Sequence, residues 1–300
     1  MRIKQSLSSG RLFIMKKFLL FCFIGISISC QDFGKLKILA SLPIALDEVS
    51  GMEHLANSDL VWMVADAGNA RTVFGIDPST EAVKKTITID NAKNRDWEDL
   101  ADDGKGTLYI GDFGNNNNAR KDLVIYTIPN LVSIEGDRTT ATKTSFSLED
   151  QTEFPPKKRE RNFDIEAFIY FKEHFYLFTR NRSSKFDGTT KLYKLPARAG
   201  TFEAEYIDSF KTCKDPSDCD VTSAAIDHEN GTLALLTYNK VFLFRNYTGD
   251  RFFEGTVEEI KLGHKSQKES VSFKDATTLY IADERNGYVG GNLYELSIKN

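Results

Sequence analysis

Five polar residues recur along the chain at intervals of 47 to 68 residues, and their side-chain oxygens could bind a metal ion. They are three glutamates and two hydroxyl residues, in the order Ser50, Glu98, Glu166, Thr222 and Glu269. The successive steps are 48, 68, 56 and 47 residues. Such hard oxygen ligands favour calcium over zinc or copper. Three carboxylates brought together need either a cation or raised pKa values, and we expect a bound calcium ion.

A second set of polar residues follows the first by 13 to 16 residues each time: Asp66, Asp112, Thr179, Thr237 and Asp283. The first set opens one strand of each repeat, and the second set closes the next strand, which runs in the opposite direction. Both sets are therefore expected to lie at the same end of the paired strands. Arginines near a metal bind phosphate or carboxylate, or else pair with neighbouring acids. We therefore expect an anionic small molecule or a surface partner there, contacted by Asp66, Asp96, Asp112, Arg180, Asp283 and Arg285.

Five repeated units must position these residues. Each unit has a short strand, a polar turn and a second strand; the five segments are 49–69, 97–115, 165–181, 221–239 and 268–286. A third strand follows each segment, and a fourth strand follows in the first four units. A four-stranded repeat of this length is typical of propeller blades. The sequence thus predicts an all-β fold, a five-bladed β-propeller; a six-bladed alternative would need a cryptic blade within residues 130–163.

The ring of blades needs a closing strand, because the fifth unit ends at Asn300 without a fourth strand. Residues 35–43, KLKILASLP, precede the first unit and form an unpaired strand pattern. We expect this N-terminal strand to complete the last blade.

The first thirty residues have the pattern of an export signal. Lys16 and Lys17 precede an apolar run from Phe18 to Ile28, with Ser29 before Cys30. This is the order of a secretory signal, and Cys30 lies where a lipoprotein carries its lipid; an incidental cysteine after an ordinary signal is the alternative. We predict a signal peptide at 1–29, a lipidated Cys30 with a short tether at 30–34, and a propeller at 35–300.

The charge of the chain argues against nucleic-acid binding. Residues 1–29 contain five basic and no acidic side chains, which leaves 34 basic against 43 acidic ones in the remainder. Phosphate backbones attract basic proteins. We expect the membrane to be contacted through the lipid anchor only, at the outer membrane or cell surface of a bacterial envelope.

Cysteine and histidine residues suggest a structural bond rather than catalysis. Cys213 and Cys219 lie six residues apart around a proline, and export permits a disulfide between them; free thiols are the alternative. No further cysteine or histidine lies nearby in sequence to complete a zinc site. His54, His174 and His228 fall in or beside turns at the end opposite the glutamates, and we interpret them as surface residues.

The order Ser, Glu, Glu, Thr, Glu resembles the axial calcium column of the calcium-activated nucleotidases (apyrases), which have Ser where this chain has Thr222. The motifs Asp96-Trp97-Glu98-Asp99 and Gly111 to Asn115 resemble those of exported bacterial propellers. The chain is also similar to propellers grouped as SdiA-regulated or phytase-like esterase domains. These resemblances imply a propeller with axial calcium.

Two classes of function follow. The first is a surface-anchored calcium-binding propeller that acts as a binding or scaffold module. The alternative is a calcium-dependent phosphohydrolase or esterase, similar to the nucleotidases, with its site at the mouth of the tunnel. We favour the first, because no nucleophile or catalytic base stands out, and a fold shared with enzymes is not evidence of activity.

Overall fold

The computed structural model describes residues 32–299, which form an all-β, propeller-like fold with 21 strands in four hydrogen-bonded sheets. The predicted signal and Cys30 lie outside these residues. Within residues 32–299, helices are single turns, and none is long and apolar enough to cross a membrane. They are Ile44–Leu46, Leu131–Ser133, Lys158–Glu160, Pro216–Cys219 and Phe252–Glu254.

The first sheet has the strand order β2-β3-β4-β5-β9. Its strands are β2 (Val49–Glu53), β3 (Val61–Ala65), β4 (Thr72–Asp77), β5 (Ala82–Ile89) and β9 (Arg138–Thr139). The first four pair antiparallel, whereas β9 adds in parallel to β5. A residue pair from the long stretch 130–163 therefore extends the first sheet.

The second sheet has eight strands in the order β11-β12-β13-β14-β10-β8-β7-β6. The second repeat supplies β6 (Trp97–Asp102), β7 (Leu108–Asp112), β8 (Leu123–Ile128) and β10 (Thr142–Leu148). The third supplies β11 (Asp164–Phe171), β12 (His174–Arg180), β13 (Thr189–Pro196) and β14 (Gly200–Lys211). The two repeats join through their last strands, because β10 and β14 pair in parallel from Thr144↔Gly200 to Leu148↔Ala204.

The remaining sheets have four strands each. The third contains β15 (Val221–Ile226), β16 (Leu233–Thr237), β17 (Lys240–Arg245) and β18 (Thr256–Lys261). The fourth contains β19 (Lys268–Asp275), β20 (Thr278–Asp283), β21 (Asn292–Ser297) and β1 (Lys37–Ser41). The N-terminal strand thus pairs antiparallel with the last strand, from Lys37↔Glu295 to Ser41↔Asn292, which is the pairing expected for residues 35–43.

The first strands of the five repeats surround a common centre. These strands are β2, β6, β11, β15 and β19; each contacts the next, and β19 contacts β2. All of them are short and rich in buried residues. This arrangement brings residues that are far apart in sequence to the same two ends of the centre.

Buried apolar side chains pack between neighbouring repeats. They form five clusters, and each cluster combines residues of two consecutive repeats. In one, Trp62 and Trp97 pack together with Tyr126; in another, Phe113 lies edge-on against Phe168 at 5.2 Å between ring centroids. Burial of each such ring stabilises the fold by about 1.5–3 kcal/mol.

The predicted disulfide between Cys213 and Cys219 is formed. It closes the short connection between β14 and β15, and the hydroxyl of Thr212 donates to the backbone oxygen of Cys219 at 2.6 Å. Gly188 packs against this connection, where a Cβ would lie 1.7 Å from the Cys213 oxygen. The disulfide therefore anchors the chain as it enters the inner strand β15.

We predict that deletion of residues 31–43 exposes β21 as an unpaired edge and removes the buried side chains of Ala40 and Leu42. Exposed edges pair with other chains, so the truncated protein should aggregate and lose its cooperative unfolding transition. Size-exclusion chromatography and thermal unfolding test this. A Lys37→Ala control, which removes one exposed side chain from β1, should behave as the wild-type chain; a soluble, cooperative 31–43 deletion would contradict the closure.

Candidate functional site

The five predicted metal ligands occupy one equivalent backbone position, a bulge at the start of each inner strand. In β2, Val49 pairs with Ala65 and Gly51 with Val64, so Ser50 is the extra residue. The same shift occurs at Glu98, Glu166, Thr222 and Glu269. A bulge breaks strand alternation and re-aims a side chain. The recurrence of the bulge explains why these residues share one end of the inner strands.

Four of the five residues line a single cavity of about 310 Å³: Ser50, Glu98, Glu166 and Glu269. Asp66, Glu48 and Glu284 add further carboxylates to its wall, and Arg180 and Arg182 add guanidinium groups. The fifth residue, Thr222, is not among the lining residues. Its hydroxyl donates to the backbone oxygen of Lys268 at 2.7 Å, so it joins two neighbouring inner strands.

Arginines pair with one member of the predicted ring, Glu166, and Arg180 also acts on a second, Glu269, whose pKa burial raises and the Arg180 charge lowers in part. Arg182 donates to Glu166 at 2.7 Å and to Asp164 at 2.5 Å. Arg180 lies 3.4 Å from Glu166 and donates to Asp220 at 3.0 Å. Because all these groups are largely buried, each guanidinium is held by its carboxylate partners. Glu166 is thus neutralised from within the protein.

Glu98 belongs instead to a cluster with Asp66 and Asp96. One carboxylate oxygen from each of the three residues lies within 4.8 Å of the other two. Oxygens on one calcium ion lie no more than about 5 Å apart, since each is 2.3–2.6 Å from the metal. Asp66 follows β3, Asp96 precedes β6, and Glu98 is the bulge residue of β6. The cluster therefore lies on the side of the cavity formed by the first and second repeats.

The environment of this cluster disfavours its charged form. Burial, followed by the charge of Asp66, raises the pKa of Asp96 to about 7. Burial and then the charge of Glu166 raise the pKa of Glu98 well above its usual value. No hydrogen bond to the Glu98 carboxylate occurs within residues 32–299. A divalent cation would reverse these shifts, because it stabilises the ionised carboxylates.

Ser50 adds an independent sign of a ligand. It is 3% exposed, and its hydroxyl has no hydrogen-bond partner within the described part of the chain. A buried polar group without a partner costs about 1–3 kcal/mol. Because Ser50 lines the same cavity as Asp66 and Glu98, its oxygen is available to a ligand held by the carboxylates.

A glycine allows the loop after β7 to pack against the cluster. A Cβ on Gly114 would lie 1.9 Å from a Glu98 carboxylate oxygen and 2.6 Å from the Asp96 carboxyl carbon. The next residue, Asn115, donates its backbone N–H to Asp164 and accepts from the backbone of Ala119 at 2.7 Å. The Gly-Asn pair of the GDFGN motif therefore packs behind the carboxylate cluster, and the following residue, Asn116, lines the cavity.

The other predicted ligand residues hold the surrounding loops. Asp112 accepts from Arg120 at 2.9 Å, and Asp283 accepts from the backbone of Asn292 at 2.9 Å. Arg285 donates to Asp47 at 2.6 Å. None of the three predicted residues lines the cavity of about 310 Å³. Asp112 also accepts from the backbone N–H of Asp96 at 3.1 Å, so these residues stabilise the segments around the carboxylate cluster.

The centre between the inner strands is filled by Asp99, which is completely buried. It accepts from the backbone N–H groups of Leu100, Phe168 and Ala224 and from the Ser223 hydroxyl. Burial raises its pKa well above the usual value, against these hydrogen bonds, which lower it. Asp99 thereby connects three inner strands.

The opposite end of the inner strands opens into a larger cavity of about 630 Å³, lined by Glu53, Asp102 and His228 among others. The Nε2 atom of His228 lies 2.9 Å from a carboxylate oxygen of Asp102. His228 therefore bonds to a residue 126 positions earlier in the sequence. Its position in a turn had suggested only a surface residue. Burial, then the charge of Asp102, raises the pKa of Glu53 to about 8.

We predict that Glu53→Gln stabilises the protein in alkaline solution. The folded-state pKa of about 8 exceeds the ordinary glutamate pKa of 4.5, so wild-type stability falls as pH rises between these values. Glutamine cannot ionise and keeps an acceptor oxygen for Ser272, which donates to Glu53 at 2.5 Å. The gain in melting temperature should grow from pH 4.5 to pH 8 and then level off. A gain that is constant with pH would contradict the raised pKa.

No family model matches the chain, and no curated protein matches its sequence. Among solved structures, an aldose sugar dehydrogenase from Streptomyces coelicolor in its PQQ-bound form is 10% identical with a TM-score of 0.47, covering 88% of this chain and 98% of its own. A luciferin-regenerating enzyme is 11% identical with a TM-score of 0.46, covering 86% and 92%. A nidogen/laminin complex contains a chain 9% identical with a TM-score of 0.46, covering 78% and 72%. Resemblance at this level says nothing about activity or ligands.

Proposed function

We propose that this protein is an exported, calcium-binding propeller of five blades that acts as a binding module on the bacterial envelope. The observation that carries the proposal is the buried, unpartnered hydroxyl of Ser50 in the cavity lined by Asp66 and Glu98. An acidic cluster alone is common on protein surfaces. A desolvated hydroxyl beside it gives the cavity a polar group that a cation would satisfy.

Three features support a count of five blades. Five inner strands contact one another in a closed series, five apolar clusters lie between successive repeats, and the bulge recurs once in each repeat. On this count the eight-stranded sheet consists of two blades, joined where β10 meets β14. Residues 130–163 then extend the first and second blades and supply no sixth.

We place the calcium ion off the axis, on Asp66, Asp96 and Glu98 with the oxygen of Ser50. Glu166 is already compensated by Arg180 and Arg182, which leaves less negative charge for a cation on that side. Calcium takes six to eight oxygen ligands, so water or ligand oxygens would complete its shell. An open coordination side is what a binding module of this kind requires.

Export and lipidation remain part of the proposal, on the basis of the basic, apolar and Ser-Cys order of residues 16–30. A single lipid chain gives weak membrane binding, and stable anchoring needs a second signal. We propose that several acyl chains on Cys30 provide the stable anchoring.

We predict that calcium raises the melting temperature of EDTA-stripped protein and that Glu98→Gln weakens calcium affinity at least about tenfold, because affinity follows the number of charged ligands. A calcium concentration of 100 times Kd corresponds to about 2.7 kcal/mol of added stability. Without calcium, Glu98→Gln should melt above wild type, since it removes a buried, repelled carboxylate. Calcium-titrated thermal unfolding measures both effects.

Two variants serve as matched controls. Glu203→Gln removes the same charge from an exposed residue of β14, which does not line the cavity, and should retain the calcium response. Glu166→Gln should lower the melting temperature, because it weakens the pairs with Arg180 and Arg182, but should keep the calcium response. Loss of the response in Glu166→Gln and not in Glu98→Gln would move the ion to the other side of the cavity, and no response in wild type would refute the site.

A further inference from the structure

A groove of about 440 Å³ opens beside the proposed calcium cavity. The two share Tyr238, Gln267 and Glu284, which form the wall between them. Ser217, Ser266 and Asn286 complete much of the groove. A ligand in the groove would therefore contact residues that also line the cavity.

The wall presents hydrogen-bonding groups in a fixed arrangement. The Gln267 side chain donates to Glu284 at 2.9 Å, and the Asn286 side chain donates to the Gln267 carbonyl at 3.2 Å. The Tyr238 hydroxyl accepts from Arg180 at 2.7 Å, which fixes the ring between cavity and groove. Pre-ordered polar groups lose little conformational entropy when they bind a ligand.

An exposed aromatic side chain stands on the loop that borders the groove. Tyr288 is 106% exposed and lies between Asn286 and Val289, which both line the groove and are bridged to each other. Gly287 and Gly290 in this loop have positive φ angles, which glycine adopts without strain. Tyr288 does not line the groove, but with the half-exposed Val289 it forms a small exposed apolar surface at the edge of the groove.

The charges at the site disfavour an anion. Both arginines are engaged by carboxylates, and Lys265 is paired with Asp218 at 2.8 Å. The cavity wall carries six acidic residues: Glu48, Asp66, Glu98, Glu166, Glu269 and Glu284. When ionised, these six carboxylates carry six negative charges, which exceed the four positive charges of one divalent ion and two guanidinium groups. The site therefore favours a neutral ligand over the anionic one expected from the sequence.

We propose that the groove and the calcium cavity together bind a neutral saccharide, an inference that rests on the proposed calcium site. The C–H face of a sugar ring packs on an aromatic ring, and Tyr238 and Tyr288 provide two such surfaces. Sugar hydroxyls both donate and accept, which matches the mixture of Gln267, Asn286 and Glu284. A pair of adjacent hydroxyls supplies neutral oxygen ligands for the open side of the calcium ion.

The test exposes calcium-loaded protein to immobilised neutral oligosaccharides, with sulfated and uronic-acid oligosaccharides as the anionic arm, and then measures the affinity of the best neutral binder by calorimetry. We expect neutral oligosaccharides to bind and EDTA to abolish binding. Tyr288→Ala should weaken affinity by about tenfold, the effect of losing one aromatic contact. Tyr206→Ala, which removes a partly exposed tyrosine from β14, is the control and should bind as wild type.

The outcomes separate this inference from the calcium site. Calcium-dependent stabilisation without binding of any neutral oligosaccharide would overturn the saccharide proposal and leave the metal site intact. Preference for the sulfated or uronic-acid probes, binding that persists in EDTA, or full affinity in Tyr288→Ala would also overturn it. Absence of calcium stabilisation would instead remove the proposed function on which the inference rests.

Discussion

Repulsion between buried carboxylates is the physical constraint on which the arrangement of the acidic cavity depends. The inner strands converge, and their bulges direct glutamates from three repeats, Glu98, Glu166 and Glu269, into a cavity of about 310 Å³. Glu48, Asp66 and Glu284 add carboxylates from segments that flank the strands. Two kinds of compensation follow from the geometry. Guanidinium groups neutralise Glu166 from one side. Asp66, Asp96 and Glu98 lie against one another; burial and the charge of Asp66 raise the pKa of Asp96, and the charge of Arg120 offsets this only in part. The same repulsion that destabilises the bare protein would drive the binding of a cation.

The two ends of the inner strands carry different side chains, and the buried Asp99 lies between them. Asp99 accepts hydrogen bonds from three inner strands, and Gly51 leaves room for its backbone, since a Cβ there would lie 2.8 Å from it. One end carries the carboxylate cluster and the adjoining groove. The other carries Glu53, whose pKa is raised by burial and then by the charge of Asp102. It also carries His228, whose pKa is lowered by burial but raised overall by its hydrogen bond to Asp102.

The rim of the site is part of the same structure that closes the fold. Arg285 follows β20, bonds to Asp47 before β2 and donates to the backbone oxygen of Leu42 after β1. The loop that carries Tyr288 therefore begins at the junction between the first and last repeats. Loss of the N-terminal strand would disturb this loop as well as the edge of β21, so closure and ligand binding are physically connected.

The sequence by itself determined the repeats, the N-terminal closing segment, the disulfide and the equivalence of Ser50, Glu98, Glu166, Thr222 and Glu269, because these follow from periodic strand patterns and short spacings. It could not decide which carboxylates share a cation. Asp96 precedes its strand and Asp66 ends another, and only the packing of the first repeat on the second brings them to Glu98. Likewise, tertiary structure alone pairs Glu166 with Arg182, Thr222 with the Lys268 backbone and His228 with Asp102, since a residue's partners depend on which strands become neighbours around the centre.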